Sequence, residues 1–208
     1  MSKDQDEEKL TFKIITLGES GVGKTSILRR YVYNLYDDNS ISTIGLSFVF
    51  KEITLKNKEK VQLKLIDTGG QEKYRALAKS YFKNADGVFF VYAIDNEDSF
   101  KNIKDWIELF NENHNGKEGI PQFLVESKND LDRVVDKQKS EDFAKEKNLK
   151  LFSTSSKEDK SINQIFEEIA ELIYQEYLKK GNLKQKNVQL KKNKKNRNQC
   201  CISRADVD

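Results

Sequence analysis

Eight residues near the start of the chain read Gly18-Glu19-Ser20-Gly21-Val22-Gly23-Lys24-Thr25. They fit the pattern G-x-x-x-x-G-K-[ST] without a mismatch. The residues before them, Thr11 to Leu17, are β-branched, aromatic and apolar with one lysine, and read as a strand. The residues after them, Ser26 to Tyr33, read as a helix. A glycine-rich turn between a strand and a helix points its N–H groups inward and makes an anion-binding nest at a helix start. Candidate members of that nest are Glu19, Ser20, Gly21, Val22, Gly23 and Ser26. Lys24 brings a point charge to the outer phosphates of a ligand. The Thr25 hydroxyl suits Mg²⁺, a hard cation that takes its remaining oxygens from phosphate and water.

Strand and helix signals alternate through the next 150 residues or so. Leu46–Lys56 and Glu59–Asp67 are alternating runs split by Asn57-Lys58, the spacing of an antiparallel hairpin. Gly87–Ile94 is almost wholly apolar, as a strand covered on both faces is. Asp98–His114 carries Phe100, Ile103, Trp106, Ile107 and Phe110 at helical spacing. Pro121–Glu126 reads as a buried strand, Ser140–Lys147 as a helix and Leu149–Thr154 as a strand. Ser161–Leu178 reads as a closing helix, with Ser161 and Gln164 in the spacing of a capping box. The alternation predicts an α/β fold: a mostly parallel sheet with helices on both faces and ligands at the carboxyl ends of the strands. Trp106 reads as core. His114, the lone histidine, reads as a solvated helix end.

At 208 residues the chain suits one domain, expected over 10–178, with flexible segments at 1–9 and 179–208. No 18-residue apolar stretch occurs, and the polar, acidic start does not read as a secretory signal. Cys200 and Cys201 are the only cysteines, too few for a disulfide framework or a zinc site. An intracellular, reduced protein is expected. From Lys179 onward there are ten Lys/Arg and two acids, so the tail carries +8. The whole chain carries +3, which leaves −5 on the remainder. A basic tail on an acidic body is a membrane-surface pattern. The basic residues are not interleaved with aromatics, which argues against nucleic acid as a partner.

A second group follows the phosphate loop by about 40 residues. Leu63 to Asp67 ends a strand with a carboxylate, placed to hold Mg²⁺ through water. Gly69 and Gly70 then let the backbone approach a γ-phosphate. Gln71 has a carboxamide that both donates and accepts, and so can orient an attacking water.

With these residues the sequence resembles the Ras superfamily of small GTPases and, within it, the Rab family, over about residues 10–178. The fold implied is the P-loop NTPase three-layer sandwich, with six strands, one of them antiparallel. GTP/GDP and Mg²⁺ are the implied ligands. Ile41-Ser-Thr-Ile-Gly45 resembles the first switch, where Thr43 joins Thr25 and Asp67 at Mg²⁺. Asp67–Glu72 resembles the second switch, with Gly70 at the γ-phosphate and Gln71 as the catalytic, water-positioning residue. Tyr36 stands where the family sets an aromatic against guanine. Ser127-Lys128-Asn129-Asp130 is similar to the family's Asn-Lys-x-Asp. There the Asp130 carboxylate accepts from guanine N1 and its 2-amine, and the Lys128 stem lies along the base. Ser155-Ser156-Lys157 is similar to Ser-Ala-Lys, whose central N–H meets the guanine carbonyl. The resemblance also implies an exchange factor, a GTPase-activating protein and effectors that read the switches.

The chain departs from the family pattern in three places. Ser127 replaces Asn, so a base contact and a tie to the phosphate loop are expected to weaken. Ile66 and Gly69 stand where Trp and Ala are usual, so the effector triad becomes Phe48, Ile66 and Tyr81, without its indole. Cys200-Cys201 is followed by seven residues, which excludes a C-a-a-X box and leaves double prenylation as the family expectation. That implies prenylation and membrane-extraction partners and a place on the cytosolic face of endomembranes. The function expected is a GTP-hydrolysing switch in vesicle traffic. Its rivals are a guanine-nucleotide-bound scaffold that barely cycles and an ATP-binding P-loop enzyme.

Overall fold

The computed structural model describes residues 9–37, 46–68, 75–114 and 119–181. The chain divides into a compact unit, Met1–Ile173, and a second unit, Tyr174–Asp208. The described residues of the first unit contain six strands. They are β1 (Thr11–Leu17), β2 (Leu46–Thr54), β3 (Lys60–Thr68), β4 (Gly87–Ala93), β5 (Gln122–Ser127) and β6 (Lys150–Ser153). Its helices are α1 (Lys24–Tyr33), α2 (Arg75–Phe82), α3 (Glu97–Lys101), α4 (Ile103–Asn113) and α5 (Lys137–Glu146), followed by helical residues 162–173. In the second unit, residues 174–181 are helical, and the Tyr174 and Tyr177 rings stack at 6.4 Å.

The strands form one sheet in the order β2-β3-β1-β4-β5-β6. Only the β2–β3 pair is antiparallel. The hairpin turns at Asn57-Lys58, where Lys58 takes a φ of 71°. Phe89 and Phe90 show how the sheet is covered. Successive strand residues point to opposite faces, and both rings are fully buried. Phe90 meets Phe110 of α4 at 6.0 Å, whereas Phe89 meets Phe166 of the helix over 162–173 at 5.1 Å. Tyr31 of α1 stacks on the same Phe166 at 3.8 Å. Helices therefore cover both faces.

The structure corrects three local expectations. The segment 98–114 is two helices, because Asn102 is a turn residue between α3 and α4. Ser161 has a φ of 58°, not the extended backbone that a capping box uses. His114 is half-buried and stacks on Phe110 at 4.9 Å, so its ring is packed. Trp106 is core, as its spacing predicts. Among the described residues, no helix is long and apolar enough to cross a membrane.

Candidate functional site: a nucleotide cleft at the strand ends

The site grows from β1 and β3. Their parallel register sets Thr16 beside Asp67. Two hydroxyls stitch that register. Thr16 Oγ1 donates to Ile66 O at 3.1 Å, and Thr68 Oγ1 donates to Thr16 O at 2.6 Å. The chain leaves β1 through Gly18, which packs on the backbone of β4. A Cβ there would lie 2.1 Å from Val91 O, and its φ is +148°, so only glycine fits.

The loop then runs through Glu19, Ser20, Gly21 and Val22 to Gly23, which starts α1 with a φ of 93° and no side-chain cap. No acid lies in the first turn of α1. The first N–H groups of the helix thus face the loop without a carboxylate of their own, as a phosphate-binding helix start requires. Ser26 sits half-buried in that first turn.

Lys24 is 5% exposed, and its Nζ donates to Gly18 O at 2.9 Å and to Glu19 O at 2.6 Å. Burial pushes its ammonium down to about 8, while the nearby Asp67 and Glu19 carboxylates pull the other way. Thr25 Oγ1 donates to Asp67 Oδ2 at 2.8 Å. The other oxygen, Asp67 Oδ1, is buried without a hydrogen-bond partner. Burial raises the Asp67 carboxyl above its ordinary value, and Thr25 and Lys24 offset part of that. A buried carboxylate with an unpartnered oxygen beside a hydroxyl is a donor set that fits a hard divalent cation.

The other end of the candidate cleft, expected to take the base, is built at β5 and β6. Ser127 ends β5, and its hydroxyl lies 2.5 Å from Val22 O and 2.9 Å from Tyr92 O. A serine at this position therefore keeps a tie to the phosphate loop. The tie is present with serine in place of asparagine, because a buried hydroxyl reaches the carbonyl directly. Lys128 takes a φ of 58°, and its Nζ donates to Asp95 Oδ2 at 3.4 Å. Asp130 Oδ1 accepts from Ser155 Oγ at 2.6 Å. Asn129 N donates to Thr154 O at 3.0 Å, which holds the two base loops together.

Arg30 of α1 joins the opposite wall. Its Nε donates to Ser156 O at 2.7 Å and its Nη2 to Lys157 O at 3.4 Å. Its guanidinium lies 5.9 Å from the centre of the Tyr36 ring. The phosphate loop is tied in turn to the core, since Trp106 Nε1 donates to Glu19 Oε1 at 3.0 Å.

The structure thus brings Glu19 to Ser26, Asp67, Ser127, Lys128, Asp130, Ser155, Ser156, Lys157 and Tyr36 to one end of the sheet. Thr43, Gly70, Gln71, Cys200 and Cys201 lie outside the described residues. The three residues expected to form an effector surface differ in exposure. Phe48 is 56% exposed on β2, but Ile66 opposite it is 0% exposed and belongs to the core. Tyr81 is partly buried against that core. Ile66 lies opposite Phe48 in the β2–β3 register and, fully buried, offers no contact area on this surface.

Sequence reasoning passed over Arg30, Glu126 and Arg133. A glutamate inside an otherwise apolar strand is itself a signal, because a charge is rarely buried unpaired.

A strand, phosphate loop and helix, with an aspartate from the neighbouring strand, define a P-loop nucleotide-binding protein. The comparisons narrow this. The Ras family model matches residues 13–175. The chain is 38% identical to the Ras-related protein SEC4 of Saccharomyces cerevisiae over 77% of this chain and 74% of that protein. It is 39% identical to the Ras-related protein Rab-10 of Diplobatis ommata, over 80% and 82%. It is 35% identical to the GTP-binding protein ypt1 of Schizosaccharomyces pombe, over 74% and 76%. The chain belongs to the Rab family of Ras-superfamily small GTPases.

Proposed function

We propose that the protein is a guanine-nucleotide switch of membrane traffic, with residues 10–178 as its GTPase domain and 179–208 as a membrane-directed tail. The observation that carries the base assignment is Asp130, whose carboxylate accepts from the Ser155 hydroxyl where the loops after β5 and β6 are joined. The main-chain N–H groups of Glu19 to Ser26 and the ammonium of Lys24 bind the phosphates. Ser127, Lys128, Tyr36, Ser156 and Lys157 line the base. Thr25 and Asp67, joined by Thr43, would hold Mg²⁺, which would supply charge neutralisation at the phosphates.

Gln71 orients a water in line with the γ-phosphorus. The water oxygen forms the new P–O bond, the bond to the β-phosphate oxygen breaks, and GDP and phosphate leave. Loss of the γ-phosphate releases Thr43 and the Gly70 amide, and with them both switches. The phosphate loop carries no arginine, and neither does the first-switch motif Ile41–Gly45, so fast turnover calls on an activating protein, worth about 10³–10⁵ in rate. Exchange factors and effectors act at the switches and at the exposed face of Phe48. Lipid on Cys200 and Cys201, with the seven Lys/Arg of Lys184–Arg197, supplies two membrane signals.

The test is single-turnover hydrolysis. Gln71→Leu retains GTP and slows its hydrolysis by at least about tenfold with an activating protein present. Equal rates in the variant and the wild type remove Gln71 from the chemistry. The mass of the cellular protein's C-terminus decides the lipid assignment, and an unmodified mass contradicts it.

A further inference from the structure

Glu126 directly precedes Ser127 and is the one charged side chain in β5, at 2% exposure. It sits where three elements meet. Arg133 Nη1 and Nη2 donate to its two carboxylate oxygens, each at 2.9 Å. The Tyr92 hydroxyl of β4 donates to it at 2.6 Å. Its main-chain carbonyl accepts from Thr154 N at 2.8 Å and from Thr154 Oγ1 at 2.9 Å.

The side chain therefore closes residues 127–132 into a loop with both ends fixed, and that loop carries Lys128 and Asp130. The carbonyl anchors the start of the segment that brings Ser155 to Asp130. A bidentate arginine–carboxylate pair fixes orientation as well as distance. Removing Arg133 leaves the Glu126 charge buried and uncompensated.

We propose that Glu126, with Arg133 and Tyr92, is a latch that sets how long a guanine nucleotide stays bound. Glu126 is a positioning residue: it acts through Asp130 and Ser155 and touches no nucleotide itself. The proposal rests on the reading of Asp130 as the guanine contact. The base leaves when its loops open locally, and a local opening has its own free energy, distinct from that of global unfolding. The latch raises that free energy, because opening separates Arg133 from the buried carboxylate that it pairs with.

The experiment loads the full chain with a fluorescent GDP analogue and chases it with unlabelled GDP. Glu126→Gln and Arg133→Gln each speed release about tenfold, equal to 1.4 kcal/mol. The double variant is no faster than the faster single one, because the two groups act as one pair. Arg133→Lys keeps the charge, loses the fork and falls between. The preference for GDP over inosine diphosphate, which lacks the 2-amine that Asp130 accepts from, narrows in the same order. Single-turnover hydrolysis of GTP already bound changes by less than about twofold, so the effect separates into release and not chemistry.

Release at the wild-type rate in both single variants overturns the latch. So does a fall in hydrolysis parallel to release, which marks general loosening. Arg133→Lys carries the test if Glu126→Gln does not fold. A wild-type protein that fails to prefer GDP over ADP instead removes the reading of Asp130, a result separable from the behaviour of the variants.

Discussion

At the proposed phosphate end of the cleft, Lys24 is held by main-chain carbonyls and the loop is built from backbone. At the base end, Asp130, Ser127 and Glu126 lean on other side chains. The two ends differ in what they tolerate. A backbone cradle depends on φ angles and on close approach, so it needs glycine and a fixed spacing, and its sequence pattern is strict. A side-chain network depends on satisfied donors and acceptors, and several residue sets can satisfy the same positions. That is why the chain keeps Gly18 to Thr25 to the letter yet carries Ser127, Ser156 and a buried Glu126 at the base end. The Ser127 hydroxyl shows the exchange directly, reaching Val22 O at 2.5 Å from a side chain shorter than asparagine.

If the base end works through side chains, its largest single effect belongs to Asp130. Asp130→Asn removes a carboxylate that accepts two hydrogen bonds, each worth about 1.5–3 kcal/mol when charged. GDP affinity then falls by at least about a hundredfold, and xanthosine diphosphate, whose base offers an acceptor to the new amide donor, gains. Equilibrium titration with both nucleotides checks this, and unchanged GDP affinity breaks the account of the base end.

The phosphate end makes the opposite prediction. Gly18→Ala forces a Cβ to within 2.1 Å of Val91 O on a backbone at φ +148°. Strain and overpacking together lower stability by about 2–4 kcal/mol. Gly21→Ala meets nothing within 4 Å and carries only the strain of φ +75°, about 1 kcal/mol. Chemical denaturation of the two variants ranks them, and equal losses would mean that close approach to β4 does not shape the loop.

Ser127→Ala removes one buried neutral hydrogen bond, worth about 0.5–1.5 kcal/mol. Nucleotide release then quickens by about fivefold. Ser127→Asn gives little or no slowing, since the tie it was expected to restore is already made. A large slowing would show that the hydroxyl is a poor substitute.

The smallest effect is in pH. Burial pushes the Glu126 carboxyl up, but hydrogen bonds from Arg133 and Tyr92, together with the Arg133 charge, hold it below its ordinary 4.5. A depressed folded value means that its stabilising contribution is present above pH 4.5 and is lost as pH falls through the folded value. Arg133 is partly exposed, so the contribution is only about 1 kcal/mol. Urea midpoints of the wild type converge on those of Glu126→Gln as pH drops below 4.5. Parallel curves contradict an ionised Glu126.

The same contrast explains what was legible in the sequence. The span of β1, the hairpin, the buried β4 and the alternation of strand and helix follow from periodicity and turn residues, which are local. Asn102 broke a helix that the apolar spacing of Phe100 to Phe110 read as continuous. The break adds no change in face, so periodicity has nothing to register. Ile66 was read as surface by its position in a motif, but it is fully buried in the core cluster against which Tyr81 packs. The place of the glycine-rich loop between β1 and α1 was legible. The latch was not, because Tyr92, Glu126 and Arg133 meet only through the pairing of β4 with β5 and the return of the chain after Asp132. A charge in an apolar strand announces that a partner exists and does not say which.

The central claim is that this cleft selects guanine through a side-chain-built base end. Competition on the full-length wild-type protein loaded with a fluorescent GDP analogue tests it most directly. GTP and GDP displace the analogue at near-stoichiometric concentrations, while ATP at about a hundredfold excess leaves it bound, because adenine offers Asp130 no matching pair of donors. Displacement by ATP at the same concentrations as GTP would contradict the claim.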